Sequence, residues 1–326
     1  MKAVIIPRPG GPENLRLEDR PVPVPGPGQL RIRVYASALN RADLLQRRGV
    51  YPAPPGYPSD IPGLEYTGEV DTVGAGVTRF VTGDRVMGLV GGGAHAEFVL
   101  AEEGELIPVP RDMDWMEAAA IPEAFMTAFD ALLPLAGLRE GERVLIHAVA
   151  SGVGTAAVQL ASASGAITLG SSRTPAKLTD VLPLGLDHPI NSSREDWPER
   201  VREICEPDKV NVILDLVGGS YHAANLRLAA PLGRIIVIGV MGGARAETDL
   251  ALLLRERLRL IGTVMRSRPL DERTTLASAF TESVVPLFES GRIRPVTDRT
   301  FPFEQIGEAH RLLESNTTTG KIVLYW

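Results

Sequence analysis

Cysteine is almost missing from this chain: Cys205 is the only one. No intrachain disulfide can form, and every thiolate-cluster metal site is excluded. Histidine is scarce as well. His95, His147, His188, His222 and His310 are scattered, no pair has metal-ligand spacing, and no metal residue is assigned. No apolar run reaches the roughly 18–20 residues that a membrane span needs. The start, Lys2-Ala3-Val4-Ile5-Ile6, lacks the basic–apolar–cleavage pattern of a secretory leader. Positive charge is in deficit, with 34 Lys and Arg against 40 Asp and Glu and a net charge of −6. That disfavours an extended nucleic-acid footprint. These absences predict a cytoplasmic protein with neither a membrane nor a nucleic-acid partner.

What is present is an ordinary globular composition, 44% hydrophobic and 23% charged over 326 residues. That length suits about two domains. Residues 1–110 are rich in Pro and Gly and broken into short β-like runs at 3–6, 30–38, 66–73, 85–89 and 95–100. This is the pattern of an irregular antiparallel barrel, with Pro21, Pro23, Pro25 and Pro27 as a stiff connector. One helix interrupts it near 40–48, where Asn40 can cap the first turn. From Asp114 a helical stretch runs to 133, split by Pro122.

Strands and helices then alternate. Strands are expected at 144–147, 167–169, 188–191, 212–216, 234–239 and 258–264. Helices are expected near 152–164, 174–184, 195–205, 220–230 and 248–257. Six apolar strands with crossover helices predict an α/β fold, a doubly wound parallel sheet. Helices near 271–290 and 303–315 and a strand at 321–326 then return to the first domain.

The first strand of that alternation leads into Ala148-Val149-Ala150-Ser151-Gly152-Val153-Gly154. Small residues there let backbone N–H groups approach a pyrophosphate at a helix N-terminus. The three-glycine pattern is degraded, since Val149 and Ser151 take the first two positions and only Gly154 remains. Taken alone, the turn also fits a plain strand–turn–helix corner. The next strand ends in Gly170-Ser171-Ser172-Arg173-Thr174, followed by Lys177, with no carboxylate to grip a ribose 2′-hydroxyl. Ser172, Arg173 and Lys177 would instead attract a 2′-phosphate, so the cofactor expected is NADPH.

Asn40-Arg41-Ala42-Asp43-Leu44-Leu45, then Pro62-Gly63-Leu64-Glu65-Tyr66-Thr67-Gly68-Glu69-Val70, then the 148–154 turn, come in an order that resembles the medium-chain dehydrogenase/reductase superfamily. Runs at 37–44, 118–129, 144–157, 214–221, 240–243, 265–268 and 320–324 extend the likeness to its quinone oxidoreductase branch. The resemblance implies a GroES-like barrel for residues 1–121 and 266–326, with a Rossmann domain, 122–265, inserted. Many alcohol dehydrogenases of the superfamily polarise substrate with zinc. Here Asn40 stands where they carry a Cys ligand and Leu64 where they carry a His. Little room is left for their structural-zinc lobe, because a short segment separates Gly83-Asp84-Arg85-Val86 from His95.

The resemblance also implies cofactor contacts from Asn40, Thr127, Ser151, Gly152, Val153, Ser172 and Lys177. Further contacts are implied from Val240, Met241 and Gly242 and from Val264, Met265 and Arg266, these two segments framing the nicotinamide. Tyr51 matches a tyrosine that faces the substrate pocket. Ser192 departs from relatives that carry a tyrosine near the phosphate end of NADPH.

A zinc-free hydride transfer suits a quinone, whose gained charge spreads into a ring that becomes aromatic. The protein then supplies positioning and one or two hydrogen-bond donors. Tyr51 and the Asn40 amide are the expected donors, with Asp43 beside them. Each also has a plainer reading: Asn40 as a helix cap, Asp43 as a partner of Arg41 or of the helix start, and Tyr51 as a cover for apolar surface. His147 reads as a satisfied core histidine, and Asp215 as a partner of nearby backbone. Reduction of α,β-unsaturated aldehydes or ketones is an alternative on the same scaffold. A non-catalytic NADPH-binding sensor is another. The resemblance implies a homodimer joined through the nucleotide domain, with 258–265 as an edge.

Overall fold

The computed structural model describes residues 1–194 and 196–326. Contacts divide the chain into two compact units: Met1–Met126 with Met265–Trp326, and Thr127–Val264.

The first unit opens with β1 (Lys2–Ile5), β2 (Arg16–Asp19), β3 (Gln29–Ala38) and α1 (Arg41–Arg47). Then come β4 (Glu65–Val73), β5 (Arg85–Leu89), β6 (Phe98–Glu102), β7 (Ile107–Pro108), α2 (Trp115–Ala119) and the start of α3 (Pro122–Asp130). In the second unit lie β8 (Arg143–Ile146), α4 (Gly152–Ala163), β9 (Ile167–Ser172), α5 (Pro175–Val181) and β10 (His188–Asn191). It continues with α6 (Trp197–Cys205), β11 (Val210–Asp215), α7 (Gly219–Leu228), β12 (Ala229–Val237), α8 (Leu250–Glu256) and β13 (Arg259–Gly262). Back in the first unit are α9 (Leu270–Ser283), α10 (Val285–Glu289), β14 (Thr297–Pro302), α11 (Ile306–Ser315) and β15 (Lys321–Tyr325).

The first unit is built on a sheet in the order β14-β15-β3-β4-β5-β7, with β6 pairing β3. β3 is its centre, running antiparallel to β4, β6 and β15. Its alternation of Leu30, Ile32 and Val34 with Arg31 and Arg33 puts the aliphatic side into the core with Tyr66, Val70 and Val86. The carboxyl-terminal strand β15 therefore closes onto β3, with Ile322 and Leu324 packing on Val4, Leu39 and Phe303.

The second unit holds six strands in the order β10-β9-β8-β11-β12-β13, all parallel. This is the doubly wound arrangement, with its reversal at β8 and β11, where ligands bind beyond the carboxyl ends of the strands. Val144, Leu145, Ile146, Val212, Ile213 and Leu214 are all fully enclosed. Covered on both faces, such strands carry continuous aliphatic runs instead of alternation.

Several boundaries differ from the sequence expectation. The strand expected at 167–169 continues to Ser172, because Ser171 and Ser172 pair with Ile190 and Asn191 of β10. The helix expected at 271–290 is two helices, because Pro286 offers no N–H to continue the ladder. Pro122 does split the 114–133 stretch, opening α3 at its first position. The helix expected at 195–205 runs Trp197–Cys205; its expected first residue, 195, lies outside the described residues.

Candidate active site

In the second unit, the turn from β8 to α4, where a pyrophosphate is expected, forms without most of the usual glycines. Ser151 takes the cap position, and its Oγ accepts from Gly154 N–H at 3.1 Å. A capping serine thus does locally what a glycine's freedom does elsewhere, steering the chain into the helix. Gly154 is obligatory: a Cβ there would sit 2.5 Å from the carbonyl oxygens of both Ala148 and Val149. α4 is twelve residues long, and Gly152 and Val153 form its first turn beside Ser151. A helix N-terminus of that length favours an anion through its dipole and its first N–H groups.

The expected 2′-phosphate group lies at the next strand end. Ser172 closes β9, and its Oγ accepts from Thr174 N–H at 3.1 Å. Arg173 is exposed, and Lys177 is half-buried in the first turn of α5. Ser192 N–H donates to Ser172 O at 2.9 Å, so the residue that departs from relatives borders this corner. On the other side of the reversal, Gly242 N–H donates to Val217 O at 2.7 Å, while Val240 and Met241 are exposed. Val264 is exposed too. Thr127 Oγ1 is enclosed with no hydrogen-bond partner among the described residues. An orphaned buried hydroxyl is costly unless a ligand atom completes it.

His147 behaves as a satisfied core residue. Its Nδ1 meets Ser171 Oγ and its Nε2 meets Asn225 Oδ1, each at 2.8 Å. Asn225 Nδ2 passes the chain on to Asp215 Oδ2 at 3.0 Å, and Asp215 Oδ1 accepts from the Val217 and Gly218 N–H groups. Since Asn225 Oδ1 only accepts, the histidine proton sits on Nε2. Burial pushes its pKa down, so the ring is neutral.

The first unit carries a different kind of site, a buried charged cluster around Asn40. Lys321 Nζ donates to Leu39 O at 3.0 Å, Asn40 Oδ1 at 2.6 Å and Glu65 Oε1 at 2.7 Å. Asn40 Nδ2 donates to Glu65 Oε1 at 2.8 Å and to Ala38 O at 3.3 Å. Both amide hydrogens of Asn40 are therefore committed, which corrects the expectation of a spare donor there. Asn40 is the N-cap residue of α1, in a capping box with Asp43. Asp43 Oδ2 accepts from Asn40 N–H at 2.7 Å, and Asp43 Oδ1 from Gly63 N–H at 3.1 Å. Gly63 has φ +100°, and a Cβ on it would lie 2.4 Å from His95 N, so only glycine fits. Asp43 thus works as a backbone anchor.

Tyr51 lies beside this cluster on the Pro-rich loop. The Arg266 guanidinium stands over its ring, 5.1 Å from the centroid. Arg266 is buried and donates to Gly91 O at 2.7 Å, Tyr51 O at 3.1 Å and Gln46 Oε1 at 2.5 Å. Each of its three guanidinium nitrogens thus already donates one hydrogen bond. Burial pushes the Tyr51 phenol up, with Arg266 pulling it partly back and Glu123 adding to the rise. The phenol keeps its proton at neutral pH and can donate it in a hydrogen bond.

Sequence reasoning missed Glu65, Glu123, Gln46 and Lys321. The available signal was polarity out of place: a Glu inside Leu64-Glu65-Tyr66 and a Lys opening an aliphatic strand. Charged residues in otherwise enclosed runs are rarely buried without a partner.

Residues 184–324 match the family described as zinc-binding dehydrogenase, and residues 26–111 match the alcohol dehydrogenase GroES-like domain. The chain is 32% identical to the synaptic vesicle membrane protein VAT-1 homolog of Rattus norvegicus, over 99% of this chain and 84% of that protein. It is 30% identical to quinone oxidoreductase of Homo sapiens, over 99% and 97%. The solved quinone oxidoreductase of Pseudomonas syringae superposes with a TM-score of 0.90 at 29% identity, covering 100% of this chain and 99% of that one. The zinc of the family description finds no fitting donor set: among the described residues no three His, Cys, Asp or Glu side chains group as metal ligands. Dehydrogenases of this kind bind a nicotinamide cofactor, and the Ser151 turn, the α4 N-terminus and the orphaned Thr127 hydroxyl fit one. The sequence matches and the two folded units agree: the chain belongs to the medium-chain dehydrogenase/reductase superfamily of oxidoreductases.

Proposed function

We propose that this protein is an NADPH:quinone reductase that works without zinc. The observation that carries the reading is the cluster around Asn40, the residue that stands where zinc-dependent relatives carry a Cys ligand: an amide bonded to a buried ion pair, with the Tyr51 phenol under Arg266 beside it. When bound, the dihydronicotinamide supplies the hydride. The 151–154 turn would hold the pyrophosphate, with Ser172, Arg173 and Lys177 on the 2′-phosphate. Thr127, Val240, Met241, Gly242 and the backbone of Val264, Met265 and Arg266 would hold the nicotinamide side. Tyr51 donates a hydrogen bond to the acceptor oxygen as charge develops on it, a task worth about 3–4 kcal/mol for a well-placed donor. Asn40 and Asp43 keep the loop and helix start in register. The two-electron acceptor must be activated in its own right, which favours quinones over plain ketones.

Oxidation of NADPH and NADH at 340 nm with simple quinones and an enal tests this. Quinone turnover favouring NADPH supports the reading. Turnover with the enal alone moves the substrate to activated alkenes, and no turnover despite tight cofactor binding moves the protein to a sensor. We also propose a homodimer through the second unit, where among the described residues β13 pairs only with β12, and Leu254 and Leu260 are exposed. Light scattering of a single 35 kDa species would contradict it.

A further inference from the structure

Among the described residues, Glu123 is the one charged side chain of the Asn40 cluster that nothing holds. Its backbone is fixed, since Pro122 opens α3 and Glu123 N–H donates to Glu65 Oε2 at 2.8 Å. Its carboxyl is half-buried, and no hydrogen bond or ion pair reaches it among the described residues. The cations that face it are already committed. Lys321 of β15 has all three donors on Leu39, Asn40 and Glu65. Arg266 has its fork on Gly91, Tyr51 and Gln46. Two carboxylates also face it, Glu65 of β4 and Asp43 of α1. Both of those are anchored by hydrogen bonds, so Glu123 is the member free to carry a proton.

We propose that Glu123 is the acid that supplies the proton consumed when the acceptor is reduced, a role that rests on the reductase reading above. Reduction of a quinone by one hydride leaves a hydroquinone anion that lacks one proton. The Glu123 O–H bond breaks and an O–H bond forms on that oxygen. The carboxylate left behind takes its next proton from solvent. Electrons arrive only with the hydride, so Glu123 changes protonation and nothing else. Burial, then the neighbouring Glu65 charge, hold the carboxyl at about 7, with Lys321 pulling the other way. An acid poised near the working pH is efficient, because it is both present in its protonated form and a willing donor. Tyr51, whose phenol keeps its proton, has the separate task of hydrogen bonding.

The test compares wild type, Glu123→Gln and Glu123→Asp with NADPH and a benzoquinone across pH 5–9. In wild type kcat/KM should be level below about pH 6 and fall tenfold per unit above about 7, while Glu123→Gln loses that break and about 10²-fold in rate. Glu123→Asp should restore the break. Infrared pH-difference spectra of the cofactor-free protein give a readout independent of turnover. Carboxyl bands of Glu123 and of Glu105, which titrates in the same range, should fade between about pH 6 and 8 in wild type; Glu123→Gln should lose one component and Glu123→Asp should shift it. Should Glu123→Gln not fold, the Asp variant and the infrared titration decide. Quinone turnover with an unchanged profile in Glu123→Gln overturns this inference and leaves the reductase reading standing. So does a set of titrating bands that Glu123→Gln leaves unchanged. If wild type reduces no acceptor, the reductase reading fails and this role falls with it.

Discussion

The two units solve the problem of binding chemistry in opposite ways. The Thr127–Val264 unit keeps its sheet aliphatic and places its polar work at strand ends, in backbone groups and one relay, Ser171–His147–Asn225–Asp215, whose carboxylate is held by N–H donors. The other unit buries charges of both signs against one another: Glu65, Asp43, Lys321 and Arg266 are each less than one-tenth exposed. Backbone groups and a helix dipole hold an anion with little desolvation cost. Buried charges are costly to enclose and tolerate no missing partner. The first arrangement suits holding a cofactor of fixed shape. The second suits moving charge.

That contrast predicts how each unit fails. The largest effect should come from Lys321→Met, which strands Glu65 without its cation; a loss of about 3–5 kcal/mol in urea unfolding is expected. A loss under about 1 kcal/mol would mean the pair is solvated and the contrast is false. In the aliphatic unit, Gly154→Val collides with two carbonyls and should weaken NADPH binding, read by fluorescence, by at least about tenfold, or 1.4 kcal/mol. Arg173→Ala should weaken NADPH by about tenfold and leave NADH unchanged, since an exposed charge-assisted contact is worth roughly 1.5 kcal/mol. Equal losses for both cofactors would remove Arg173 from the 2′-phosphate.

The smallest effect concerns Glu105, buried and ion-paired with Arg273 at 2.7 Å. Burial lifts its carboxyl from 4.5 to about 7 against the pull of Arg273. Between those values the folded state keeps a proton that the unfolded chain releases, so stability falls as pH rises from about 4.5 through 7. Glu105→Gln should flatten that slope in Tm against pH, in part only, because Glu123 titrates in the same window.

The same contrast explains what could be read without coordinates. The parallel sheet was legible because its strands, such as Val210–Asp215, are aliphatic runs bounded by turns, and its order follows from crossover helices. The strand–turn–helix corner at 148–154 was legible as local chain geometry, even with Ser151 in place of a glycine. The charged cluster was not. Glu65, Glu123 and Lys321 lie 58 and 256 residues away from one another along the chain, counted from Glu65. Only the antiparallel pairing of β15 with β3 brings Lys321 to Asn40. Asn40 was recognised as a site residue, yet its side-chain partners depend on that closure. The left-handed Gly63 and the Arg266 fork are likewise products of tertiary contact.

On the proposed reading, a hydrogen-bonding phenol beside the Asn40 cluster stabilises the charge that hydride transfer creates. Single-turnover oxidation of NADPH by a benzoquinone, followed by stopped flow in wild type and Tyr51→Phe, addresses it directly. That reading requires rapid oxidation by wild type and a rate about 10²–10³-fold lower in the variant, with NADPH affinity unchanged. Equal rates in the two proteins would contradict it.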